Sequence, residues 1–110
     1  MVRVLMGDFG AMVKAGLEAI LSDQQVDVMQ ANGQDLMARV VEAMPHVVVF
    51  DLDREDSDEL AMRLCTCYPS LTVVACSSAH PTMRVFPPFH HGESYTSQLD
   101  AEMLRELVRV

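Results

Sequence analysis

The run Pro45-His46-Val47-Val48-Val49-Phe50-Asp51-Leu52-Asp53 decides how this chain is read. Four successive apolar residues, three of them β-branched, follow a proline and end on an acid. A strand that is apolar on both faces is one that is covered on both faces, and such strands belong to parallel sheets. Leu71-Thr72-Val73-Val74-Ala75-Cys76 repeats the pattern and ends on Ser77-Ser78. Between the two, Leu60, Ala61, Leu64 and Cys65 recur at helical spacing. That segment reads as a helix entered through Asp56 or Ser57 and closed before Pro69.

Working toward the N-terminus, Leu36, Met37, Val40, Val41 and Met44 predict a helix opened after Asn32-Gly33 and stopped by Pro45. Val26 to Met29 reads as a weaker strand, and Val2 to Met6 as a stronger one. From Ala11 to Leu21 the residues Met12, Ala15, Gly16, Ala19 and Ile20 share one helical stripe. Toward the C-terminus, only Ser77 to Thr82 precedes a fifth strand at Met83 to Phe86, too little chain for a crossover helix. Pro87-Pro88 stops that strand, and Phe89 to Tyr95 reads as a loop. Thr96 or Ser97 then caps a final helix carrying Leu99, Met103, Leu107 and Val110, with Ser97 and Asp100 resembling a capping box. The alternation predicts an α/β fold with a doubly wound, parallel five-stranded sheet of order 2-1-3-4-5, its fourth helix shortened or lost.

Composition bounds the function classes. A chain of 110 residues, half of them hydrophobic, makes a single domain over 1–110 with its own core. Eight basic against sixteen acidic residues give a formal net charge of -8, the wrong sign for a phosphate backbone, so no direct nucleic-acid binding is expected. Three cysteines form an odd set that does not suggest a disulfide framework, which points to a reducing cytoplasm. The N-terminus meets Asp8 before a signal-peptide core could form, and no apolar run approaches a span of roughly 18 residues. No membrane association or processing is expected.

In open parallel sheets ligands sit beyond the carboxyl ends of the strands. Asp8 follows the first strand, Asp51 the third, and Ser77 with Ser78 the fourth. In the order 2-1-3-4-5 those three strands are neighbours, so their polar ends converge on one candidate site. The competing reading is that these residues only cap the helices that follow.

The segments VRVLMGDFGAMVKAGLEAIL, PHVVVFDLDREDSDEL and PSLTVVACSS resemble the receiver domain of bacterial response regulators, particularly of NarL type. The likeness covers the first 78 residues and returns in the final helix. It implies a flavodoxin-like, or CheY-like, fold and a place in two-component signalling and transcription regulation, with this segment the N-terminal part of a longer regulator. It also implies Asp51 as the phosphoacceptor and Ser77 as the hydroxyl that contacts the phosphoryl group. Asp8, Asp51 and the backbone carbonyl of Asp53 match the Mg²⁺ positions, and a histidine kinase would be the phosphoryl donor.

The chain departs from that family at several places. Phe9 stands where a second acid is usual, which leaves a weak or vestigial Mg²⁺ site and no resident cofactor. The family's lysine at the end of the fifth strand is missing, because the only lysine here is Lys14 in the first helix. Arg54-Glu55 replaces the usual Met-Pro, and Asp51 to Glu59 holds six carboxylates. The expectation is therefore an atypical pseudo-receiver, not an enzyme, that works by protein interaction largely without phosphorylation. A functional phosphoacceptor at Asp51 and a small-ligand-sensing pseudo-receiver are the alternatives. Loss of the fourth helix is expected to uncover Val73, Ala75, Val85 and Phe86, which suggests a homodimer.

Two other motifs carry less. Asp8-Phe9-Gly10 matches a protein-kinase triplet without its two-lobed context. Cys65, Cys67, Cys76, His80, His90 and His91 lack paired zinc-ligand spacing.

Overall fold

The computed structural model describes residues 2–7, 11–22, 26–30, 35–53, 55–77, 82–89, 94–98 and 101–108. In chain order they form β1 (Val2–Met6), α1 (Ala11–Ser22), β2 (Val26–Gln30), α2 (Leu36–Ala43), β3 (Val47–Asp51) and α3 (Ser57–Cys67). They continue with β4 (Thr72–Cys76), β5 (Thr82–Phe86), β6 (Tyr95–Gln98) and α4 (Ala101–Val108). The fold is α/β, built on one sheet of order β2-β1-β3-β4-β5-β6.

Strands β1 to β4 are mutually parallel, and the central β3 and β4 carry the two-sided apolar pattern of such strands. The rest of the sheet differs from the expectation. Strand β5 runs antiparallel to β4, pairing Val74 with Val85 and Cys76 with Met83, and β6 runs antiparallel to β5. Among the described residues the sheet therefore has six strands and is mixed, not five-stranded and all parallel. A short link cannot carry a chain back across a sheet to start a parallel strand, but it can close a hairpin. Ser77 does this by donating its backbone N–H to the Thr82 carbonyl at 3.0 Å. Of the two outcomes expected for the fourth crossover helix, shortened or lost, the described residues fit the second: β4 is followed directly by its antiparallel partner β5. Thr96 and Ser97 lie inside β6 instead of capping a helix, and the final helix begins at Ala101.

Alternation along the strands divides the core in two. Leu5, Val48, Phe50, Val73, Ala75 and Phe86 face α2 and α3, meeting Leu36, Val40, Leu60 and Leu64. Val4, Met6, Val49, Val74, Cys76 and Val85 face the other way and meet Leu17 and Leu21 of α1 and Leu104 of α4. Helices thus cover both faces, and complete burial of Val47 to Phe50 follows. Val73, Ala75, Val85 and Phe86, expected to be uncovered, are all buried. They also lie on opposite faces, Val85 apart from the other three. The antiparallel hairpin keeps β5 tucked between the helical layers.

Two local features set the ends of elements. Asp35 caps α2, its carboxylate accepting from the Met37 N–H at 3.2 Å, a role the sequence reading gave to Asn32-Gly33. Gly7 follows β1 and donates to the Val49 carbonyl at 2.7 Å; a Cβ there would stand 3.2 Å from that of Phe50. A close approach of this kind favours glycine. Among the described residues no helix is long and apolar enough to cross a membrane.

Candidate functional site at the ends of β3 and β4

Strand β3 ends on Asp51 and β4 on Cys76, and the two residues are register partners. Ser77 follows immediately, so the parallel pairing brings the carboxylate of one strand and the hydroxyl after the next to the same edge. The Leu52 N–H donates to the Cys76 carbonyl at 2.9 Å, which carries the pairing one residue beyond the strand. The chain then turns back on itself. The Asp53 N–H donates to Oδ1 of Asp51 at 2.9 Å, a side-chain-closed turn of the kind aspartate favours.

That turn aims Asp53 across the edge toward β4. The Ser77 hydroxyl lies 2.9 Å from Oδ2 and 3.0 Å from Oδ1 of Asp53 and donates to that carboxylate. Ser77 is buried while Asp53 is exposed, so the interaction reaches from the rim of the core to the surface. Asp51, Asp53 and Ser77 are therefore linked in series, carboxylate to backbone N–H and carboxylate to hydroxyl. The three described candidate residues do come together, and the Asp53 side chain engages Ser77, a contact separate from the backbone carbonyl that the family likeness implied.

The electrostatics are one-sided. Asp51 is half-buried, and it pairs with no arginine or histidine among the described residues. The Cys76 thiol is pushed up from 9.0 to about 12, first by burial and then by the charge of Asp51 beside it. It is a neutral core group with no nucleophilic character at ordinary pH. Beyond the turn, Asp58 in the first turn of α3 accepts from Arg84 of β5 at 3.0 Å. Arg84 also lies over the Phe86 ring, 5.2 Å from its centroid, and donates to the Ser94 hydroxyl at 3.3 Å. This arginine ties the hairpin to α3, a bridge that no sequence motif marks.

Among the described residues no group of three Asp, Glu, His or Cys side chains is arranged to hold a metal ion. Asp8 and Phe9, on which the Mg²⁺ expectation also rests, lie outside the described residues, as do Ser78, His80, His90 and His91. Compared with known proteins, the chain matches no family model, no curated protein and no solved structure.

Proposed function

We propose that this chain is an atypical receiver-like signalling and protein-interaction module that acts largely without phosphorylation. The observation that carries this reading is the engagement of Ser77 by Asp53. If Asp51 stands at a phosphoacceptor position and Ser77 at the hydroxyl that would meet the phosphoryl oxygen, an internal carboxylate already holds that hydroxyl. A phosphoryl group arriving at Asp51 would have to displace a carboxylate of the same sign. It would do so without the lysine that the family supplies, since Lys14 lies in α1. Electrostatic stabilisation of transferred phosphate is the largest catalytic contribution in such sites, and the sequence supplies neither that lysine nor, at Phe9, the family's second acid.

On this reading the order β2-β1-β3-β4 is the receiver-like half of a CheY-like fold, and the β5–β6 hairpin is where the chain departs from it. Partners are proteins: a second copy of the chain, a histidine kinase, or a downstream DNA-binding region of a longer transcription regulator. Incubation with acetyl phosphate and Mg²⁺ followed by intact mass measurement tests the proposal. Less than one-tenth of the chains gaining a phosphoryl mass supports it. Near-complete modification, abolished by Asp51→Asn, would instead establish a working phosphoacceptor.

A further inference from the structure

The opposite end of the sheet carries a concavity of about 370 Å³ between the C-terminal ends of α2 and α3. Val41, Met44 and Pro45 line one side, and Tyr68, Ser70 and Leu71 the other. Its size falls within the range of small-molecule sites, and such sites combine mostly apolar walls with a few polar groups. Neither the Tyr68 phenol nor the Ser70 hydroxyl has a hydrogen-bond partner among the described residues, so both are available to orient a guest.

Two features show that the apolar wall is held at a cost. Met44 adopts a left-handed backbone, φ 48°, at the C-cap of α2, where glycine would be unstrained. It is also 73% exposed, and Val41 one turn earlier is 63% exposed. The only other non-glycine residue with positive φ among the described residues is Phe89, φ 55° and likewise exposed. Its N–H donates to the Pro69 carbonyl at 2.8 Å, which fixes it to the loop that supplies Tyr68 and Ser70. Strained backbone retained together with exposed apolar surface is characteristic of functional sites.

The charge environment selects the guest. The lining residues carry no ionised group. The end of α3 has no basic residue in its last turn, so its negative dipole end stands at the concavity, while the end of α2 is met by Arg3, whose Nη1 donates to the Ala43 carbonyl at 3.4 Å. With a net charge of -8 on the chain, an anion is disfavoured and a hydrogen-bond donor favoured. We infer that the concavity between the ends of α2 and α3 binds a small aromatic or branched-apolar molecule bearing an amine or hydroxyl donor and no anionic group. This inference is independent of the receiver-like reading, because it uses none of the residues at the other edge.

The test uses two fluorescent probes that differ by one sulfonate. N-phenyl-1-naphthylamine is a neutral aryl amine, and 8-anilino-1-naphthalenesulfonate is the same amine made anionic. The neutral probe should bind saturably at one per chain and at least ten-fold more tightly than the sulfonate. Val41→Glu, at an exposed helical position, should weaken it at least ten-fold with the far-ultraviolet circular dichroism unchanged. Met44→Gly, which relieves the left-handed strain, should fold at least as well and bind several-fold more weakly. Equal affinity for the two probes, or binding unaltered in both variants, would overturn the inference. So would a dimer in sedimentation that dissociates in Val41→Glu without any saturable binding of the neutral probe, since the occupant would then be a second copy.

Discussion

The Ser77 hydroxyl donates to the carboxylate of Asp53, 2.9 Å from one oxygen and 3.0 Å from the other, across the ends of β3 and β4. Removing either partner should destabilise the edge. Because the carboxylate is exposed and screened by solvent, the cost of Ser77→Ala or Asp53→Ala should be about 1 kcal/mol each, below the roughly 1.5–3 kcal/mol of a hydrogen bond to a charged group. The two should couple: the double variant should fall short of the sum by roughly 0.5–1 kcal/mol in urea unfolding. Strict additivity would show that the pair contributes nothing in solution.

Burial of Cys76 makes a pH prediction. Its thiol is raised from 9.0 to about 12, so the folded chain favours the protonated form. That stabilisation is complete below the unfolded thiol's range and is lost as pH rises through it toward about 12. Cys65 shifts in the same direction through burial. Urea midpoints should therefore fall above pH 9, and Cys76→Ala, though less stable at pH 7 because of the cavity it leaves, should show a shallower alkaline fall. Maleimide labelling at neutral pH should reach exposed Cys67 first and buried Cys76 last.

Arg84 and Asp58 form an ion pair whose two halves should be unequal on mutation. Asp58 is 80% exposed at its side chain, so Asp58→Ala should change stability by less than about 0.5 kcal/mol. Arg84→Ala also removes the stacking over Phe86 and the bond to Ser94, and should cost about 1–2 kcal/mol. Arg84→Lys should recover only part of this, because an ammonium cannot reproduce the planar stack. Thermal unfolding of the three variants separates these contributions.

Met44→Gly should stabilise the chain. A left-handed non-glycine residue costs about 1–2 kcal/mol, partly offset by the larger chain entropy of glycine. With most of the side chain in solvent, little burial is lost, and a net gain of about 0.5–1 kcal/mol is expected. A lower urea midpoint in this variant would mean that Met44 packs in a way its exposure does not suggest.

How much was legible in the sequence depends on what each residue faces. β3 and β4 are readable because Val47 to Phe50 and Val73 to Cys76 are buried on both faces, so every position carries the signal. β6 is not, because Tyr95-Thr96-Ser97-Gln98 lies at the sheet edge, mostly exposed, and polar residues there look the same as a turn or a helix cap. The reversal of β5 left no mark in its own residues. It was encoded in the shortness of the link after Ser77, which admits a hairpin and excludes a crossover. Asp51 and Ser77 stand out because strand ends gather polar groups. The contact between Asp53 and Ser77 was hidden, since it depends on how the turn after β3 aims a side chain.

On the proposed function, the edge holding Asp51, Asp53 and Ser77 does not work as a phosphoryl switch. The most direct measurement is a titration of the ¹⁵N-labelled chain with beryllofluoride, a phosphoryl mimic, in the presence of Mg²⁺, following the amides of Asp51, Asp53 and Ser77. No saturable shift is expected at these positions up to millimolar concentrations, because Asp53 retains the Ser77 hydroxyl. A saturable shift of all three amides, lost in Asp51→Asn, would contradict the proposal.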